Sequence, residues 1–589
     1  MKQRLSRNSL IELVVFTVGF AVCLVLAYRL NFEDGKPKSP GVFYSDKSIY
    51  YVYLPATFIY NWDVGKFPSR CDTSYKGFIL DTVNGVVKNK MTYGVALMWL
   101  PFFLVTHAIA VSYDLNPDGF SDFYQKMAIL PPAFYLILGL FFLRRFLAGY
   151  FPPGIAYTCI LIIFAGTNLY HYGLAEGLMS HVYSFFLFSL YLFLLKKFLD
   201  SGMKSFRTFM GICIVVSLAI LIRPSNVIIL SWLFLLDAKT QKEVISRCVC
   251  YCRPTNVLAI LGIGFLVFLP QFIYWKYESG SFLHYSYGKE GFDNWNDPVI
   301  IPVLFSPLNG LFIYTPMMLF FVAGFFLMIF RRIANGFLLL GMFGLVTCIS
   351  GSWFMWFFGG SLGSRPYVEY YAIFSLGLGY LLTAVQRLKN WFSKSLIYLS
   401  IIILVWVNLK FTYYNPWNTH SVWAWDDFRG RLDKAGILHF SRDTYTYIHD
   451  FENVTVEPDL TVTSAQSHSP SYSALVDSRY QKCNIYDRWM NGILDHEIQR
   501  IAVSIWVRPV YGAISGEVVA AIEDDKGNVW FKKNVAFTRN QAAGDGWSEV
   551  ALSFEVPRWL NGPENRLKIF VENEKKQTFY VDDVRVVFQ

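Results

Sequence analysis

Runs of about twenty apolar residues recur from residue 10 to residue 413, the length a helix needs to cross the hydrocarbon core of a bilayer. The predicted spans are 10–30, 126–146, 153–172, 178–197, 207–222, 225–238, 255–275, 311–330, 335–352, 367–386 and 395–413. That is about eleven crossings, and basic residues close most of their predicted inner ends, as Arg144-Arg145, Lys196-Lys197, Arg331-Arg332 and Arg387 do. The run 93–112 is equally apolar. Treated as a further crossing, it would put Arg144 and Arg145 outside, so a shallow or re-entrant helix along the interface is expected instead. Lys2, Arg4 and Arg7 keep the N-terminus on the inner side, and no small-residue cleavage site follows Leu30, so 10–30 is expected to stay as an anchored helix.

After about Trp417 the pattern changes. Short segments alternate between apolar and polar positions at 501–507, 516–522, 529–531 and 579–587, with a turn of Asp, Gly and Asn at 524–528. Period two with such punctuation predicts an antiparallel β-sandwich. The expected organisation is a polytopic α-helical membrane domain over 1–416, with a first external loop at 31–122, and an external all-β sandwich of jelly-roll type over 417–589.

Composition adds little to this beyond exclusions. The chain has 589 residues, 54% hydrophobic and 16% charged. Its net charge of +9 does not point to nucleic acid, because the basic clusters flank apolar spans. The nine cysteines form no disulfide framework. Cys248, Cys250 and Cys252 read as a reduced inner loop, while Cys71 and Cys483 both fall in predicted outer segments, where a pair is open to them.

The polar chemistry gathers on the predicted outer side. Asp46 follows the first span by about fifteen residues. It is a candidate general base, metal ligand or solvated loop residue. Glu176 lies at the next outer turn, as an assisting acid, a helix cap, or a partner of Asp46 and His181 around a divalent cation. The segment 353–369 combines Trp356, a Gly359-Gly360 pair, Gly363, Arg365, Tyr367 and Glu369. Glycines admit a close ligand, aromatics offer stacking faces for sugars, and Arg365 offers a two-pronged fork to phosphate. Arg223, in Ile222-Arg223-Pro224, is either a second contact to an anionic lipid or a side chain snorkelling to headgroups. His284, Tyr285 and Lys289 are expected along a substrate path.

Together these residues resemble the GT-C membrane glycosyltransferases, near the protein O-mannosyltransferase and lipid A aminoarabinose transferase group (family 39 type). The resemblance covers about residues 10–412 and rests on Asp46 after the first span, Ile222-Arg223-Pro224, Phe305-Ser306-Pro307 through Gly310 to Pro316, and Trp356 through Arg365 to Glu369. It implies transfer of a sugar from a polyprenyl-phosphate carrier to a glycan, lipid or protein acceptor, with inversion. By that likeness Asp46 is the base and Arg365, with Arg223, holds the leaving phosphate. Lys47 stands where the mannosyltransferases carry a second acid, and Lys90-Met91-Thr92-Tyr93-Gly94 replaces their His-Pro-Pro-type loop, so the sequence departs at both points from the pattern that goes with mannose and a protein acceptor. The Tyr580-Val581-Asp582-Asp583-Val584 ending is similar to carbohydrate-binding modules, which gives the sandwich either a glycan-holding or a lid role.

The expectation is therefore a lipid-linked-sugar glycosyltransferase of a bacterial inner membrane, N-terminus cytoplasmic and sandwich periplasmic. A flippase of lipid-linked glycans and a non-catalytic glycan-binding membrane protein are the competing classes. A transporter would place polar residues near the midplane and broken helices in matching halves, which the sequence lacks.

Overall fold

Long apolar helices need a solvent for their outer faces, and the first 414 residues supply many of them. The computed structural model describes residues 7–38, 41–69, 71, 77–288, 290–360, 362–414, 425–438, 445–449, 451, 461–468, 473–477, 482–490, 493–494, 497–540, 546–562, 564–573 and 575–589. Among these, six helices are long and apolar enough to cross a membrane: Val14–Asn31, Gly94–Ser112, Asp122–Leu147, Ser180–Asp200, Pro254–Ser279 and Trp391–Tyr414. Six shorter apolar helices accompany them. Pro254–Ser279 buries only 11% of its most apolar window, and Leu258, Leu261 and Leu266 point outward. Such a surface is stable against lipid rather than water.

Ion pairs and amide bonds show which helix ends share a layer. Glu12 pairs with both Arg144 and Arg145, the latter at 2.6 Å. At the other end of the first helix, Asn31 donates to the Leu174 carbonyl at 2.8 Å. Asn335 donates to Asp237 at 2.7 Å, Tyr150 donates to the same carboxylate at 2.5 Å, and Lys196 lies 3.9 Å from it. One layer therefore collects Arg144, Arg145, Lys196 and Asp237, and the opposite layer collects Asn31, Leu174 and the residues described below.

The helix Gly94–Ser112 makes side-chain bonds to that second layer. Just before it, Thr92 donates to the Leu221 carbonyl and the Tyr93 amide donates to Gln271 at 2.7 Å. Near its middle Trp99 bonds Tyr183, and near its end His107 lies 2.5 Å from the Tyr124 hydroxyl. Leu221 ends Phe206–Ile222, while Tyr183 and Tyr124 stand near the starts of Ser180–Asp200 and Asp122–Leu147. The composition of 94–112 is that of a span, and these contacts run along one layer from residue 92 to residue 107.

Close packing within the bundle depends on glycine at one crossing. A Cβ on Gly324, in Met318–Phe330, would lie 2.1 Å from the Gly377 carbonyl oxygen of the facing helix Tyr371–Gln386. Small residues let apolar helices approach this closely. Gly324→Ala is expected to destabilise the helical unit by about 1–3 kcal/mol, the usual effect of overpacking. Gly341→Ala, which faces open space, is the control. Thermal unfolding in detergent checks both, and equal midpoints would contradict the crossing.

The chain divides into two compact units, Met1–Asn418 and Thr419–Gln589. In the second, an antiparallel four-stranded sheet runs Val529–Asn540, Ala513–Glu523, Arg566–Glu572, Lys482–Trp489. The other sheet runs Ser548–Glu555, Arg500–Pro509, Phe579–Phe588, Ser473–Val476, Thr461–Thr463, with Tyr445–His449 also paired to Phe579–Phe588. Val503, Ile505 and Val507 of one sheet and Val518, Ile522 and Ile569 of the other enter a single core. Alternate burial along Arg500–Pro509 is the period-two pattern made physical.

Candidate functional site

Asp46 opens a six-residue helix, Asp46–Tyr51, too short to hold its own shape in water. Its surroundings hold it. Ser45 before it takes a left-handed φ of 55°. The Ser48 hydroxyl donates to the Ser45 carbonyl at 2.8 Å, and Asn89 donates to the Ile49 carbonyl at 2.6 Å. Gly77 packs so closely that a Cβ there would lie 2.6 Å from the Ser45 oxygen.

Opposite Asp46, Arg365 begins the short 3₁₀ turn Arg365–Tyr367. Its Nη2 lies 3.4 Å from Asp46 Oδ2, with the two side chains 19% and 23% exposed. The aromatic loop before it is pinned by asparagines. Asn309 donates to the Phe357 and Gly359 carbonyls, both at 3.0 Å, and Asn168 donates to the Leu362 carbonyl at 3.0 Å. Gly363 has φ 66° and lies against Tyr314, which leaves no room for a side chain. Arg365 also sits over the Phe358 ring, 5.8 Å from its centre.

Behind this pair lies a second, buried one. Glu369 and His181 are each 1% exposed, and His181 Nδ1 meets Glu369 Oε2 at 3.0 Å. Arg223 Nε lies 3.5 Å from Glu369 Oε1, and its Nη1 lies 3.1 Å from His181 Nδ1. Tyr50 joins the two groups. Burial pushes its phenol up, opposed chiefly by Arg223, while Asp46, Ser180 and Arg365 also act on it. Tyr287 comes close enough to interact with Tyr50, Arg223 and Asp46.

Several expected roles change. Glu176 is not a second acid beside Asp46: both its oxygens lie 3.2 Å from Lys47 Nζ. Glu369 is not at a substrate surface but inside the bundle with His181 and Arg223. Tyr367 is fully buried and donates to Thr347 at 2.7 Å, so its ring is part of the core. Trp356 is half-buried against the core and edge-on to Phe357. His284 and Tyr285 stand exposed on the loop after Pro254–Ser279, with the Tyr285 hydroxyl donating to the Glu290 carbonyl at 2.5 Å. What that loop brings toward Asp46 is Tyr287. Among the described residues no three His, Cys, Asp or Glu side chains converge on a metal position. Glu176 and His181, the expected partners of Asp46 around a cation, meet Lys47 and Glu369 respectively. Lys289 and the Cys483 side chain lie outside the described residues.

Tyr50, Tyr287, Asn168 and Asn309 were not singled out by sequence. Asn309-Gly310 looks like ordinary turn punctuation, and only the fold shows that its amide holds the Arg365 loop.

No family model matches the chain, and no curated protein does. Among solved structures it is similar to the archaeal oligosaccharyltransferase AglB from Archaeoglobus fulgidus, in complex with an inhibitory peptide and a dolichol-phosphate. That likeness has a TM-score of 0.40 and 12% identity, over 68% of this chain and 55% of that one. The CBM22-2 xylan-binding domain of Paenibacillus barcinonensis Xyn10C matches with a TM-score of 0.20 and 18% identity, over 24% of this chain and 99% of that domain. Its CBM22-1-CBM22-2 tandem is matched over 50% of its length, with the same score and identity. Likenesses this distant carry no function to the chain, which rests on the side chains above.

Proposed function

We propose that the chain is an inverting glycosyltransferase that moves a sugar from a polyprenyl-phosphate carrier to an acceptor, at the membrane face where Asp46 lies. The observation that carries this reading is the meeting of a carboxylate and a guanidinium in one partly open site, Asp46 and Arg365 at 3.4 Å. In a single displacement the acceptor oxygen attacks the anomeric carbon, and its proton passes to Asp46. The bond from that carbon to the phosphate oxygen breaks, leaving its electron pair on the lipid phosphate. Arg365 pairs with the charge gathering there, where a fixed cation stabilises the transition state most. Attack opposite the leaving phosphate inverts the anomeric centre.

The resting ion pair suits this sequence of events. A separation of 3.4 Å is long for a charge-assisted hydrogen bond, and both groups are reachable. An incoming phosphodiester therefore competes with Asp46 for the guanidinium, and its arrival releases the carboxylate toward the acceptor.

Purified protein in detergent, given a panel of polyprenyl-phosphate sugars, tests the phosphate role. Arg365→Lys keeps the charge but loses the two-pronged geometry, so the donor KM is expected to rise about tenfold or more. Equal donor KM for wild type and Arg365→Lys on an active donor would contradict that role.

A further inference from the structure

Lys47 stands beside the proposed base, and the structure gives it a definite partner. Its ammonium lies 3.2 Å from each oxygen of Glu176, and the two side chains are 6% and 20% exposed. Glu176 is itself held on a rigid post. It ends the turn His171–Ala175, its amide donates to the His171 carbonyl at 2.9 Å, and its carbonyl accepts from the Met179 amide at 3.0 Å. On either side, Gly173 and Gly177 press against Leu136 and Pro132 so closely that a Cβ would lie 2.8 and 2.6 Å away. The backbone that carries Glu176 is thus packed on the helix Leu130–Leu147.

We propose that Lys47 and Glu176 are a positioning pair that sets the direction of the Asp46 carboxylate. The proposal rests on the reading of Asp46 as the base. Consecutive helical residues project about 100° apart, so fixing where Lys47 points also fixes the rotational phase of its neighbour. The helix Asp46–Tyr51 has only six residues and follows a left-handed Ser45, so its phase depends on tertiary anchors. The Asn89 bond to the Ile49 carbonyl holds one side of the turn, and the Lys47 ion pair holds the other. Without the pair, the turn keeps only the Asn89 anchor, and the Asp46 carboxylate loses its fixed direction toward the acceptor. A displacement near 1 Å in a catalytic group lowers turnover by about a hundredfold.

The test uses the full-length protein and a short-chain polyprenyl-phosphate sugar that wild type consumes. Lys47→Met and Glu176→Gln are each expected to lower kcat about ten- to a hundredfold, with donor KM within about twofold of wild type. Lys47→Arg keeps the charge and is expected to stay within about threefold of wild type. The charge-reversed double variant Lys47→Glu with Glu176→Lys is expected to recover most of the turnover lost in the single variants, and thermal midpoints near wild type in those single variants separate positioning from a merely structural loss. Single variants with wild-type kcat, beside an inactive Asp46→Asn, would overturn the positioning pair while leaving the base in place. A reversed pair that elutes as a single folded species yet turns over no faster than the single variants overturns it too. Where a single variant unfolds, Lys47→Arg decides: kcat reduced as far as in Asp46→Asn excludes a charge anchor. Full activity in Asp46→Asn sinks the base reading itself, and the pair with it.

Discussion

Asp46→Asn is expected to lower transfer by about 10²–10⁴-fold, the range a positioned general base contributes. The amide keeps the size of the side chain and its place at the start of Asp46–Tyr51, so the fold should persist. It cannot take the acceptor's proton. Donor binding should hold at wild-type strength or tighten, because Arg365 loses a competing carboxylate 3.4 Å away. Turnover and donor KM measured separately show both effects. A variant with wild-type kcat means that some other group accepts the proton. A variant whose defect lies wholly in KM means that Asp46 binds substrate rather than reacting with it.

Glu369→Ala should produce the largest loss of stability. It leaves Arg223 facing a buried site and takes the charged partner from His181, both groups having met the same carboxylate. Breaking a buried ion pair from one side typically destabilises by about 3–5 kcal/mol. Arg223 keeps 22% of its side chain exposed, so the effect should fall toward the lower end. Glu369→Gln retains an oxygen that accepts from His181 and should lose less. Thermal unfolding in detergent reads the order wild type, Gln, Ala. An unchanged midpoint in Glu369→Ala would mean that the buried pair does not hold the bundle.

The large divisions of the chain were legible because each follows from local periodicity. Apolar runs as long as a bilayer core become helices, and alternation at 501–507 and 579–587 becomes strands of one sheet. Asp46 and Arg365 were legible as chemistry, since an acid and an arginine in outer loops of an apolar chain ask for a reason. Their meeting follows from no local pattern, because 319 positions separate them, and only the family resemblance put them in one site. Glu176 shows the limit most clearly. Its position at an outer turn pointed to the site, but its partner depends on which face of Asp46–Tyr51 the fold presents, and that partner is Lys47 rather than Asp46. Tyr367 is a second case: an aromatic that offers a stacking face and one that packs in the core look alike in sequence, and its hydroxyl finds Thr347 in the interior. The run 93–112 has the composition of a crossing, and its partners, Gln271 beside Tyr93 and Tyr124 beside His107, were not legible in the sequence.

On the proposed reading, Asp46 and Arg365 break a sugar–phosphate bond rather than move an intact lipid-linked glycan. Sealed vesicles containing the purified protein, supplied with a polyprenyl-phosphate sugar labelled in the sugar and with candidate acceptors, measure this directly. The account predicts that wild type releases free polyprenyl phosphate and places the label on an acceptor with inverted anomeric configuration, while Asp46→Asn does neither. Intact donor appearing on the opposite leaflet, at equal rates in wild type and Asp46→Asn and with no polyprenyl phosphate released, would contradict it.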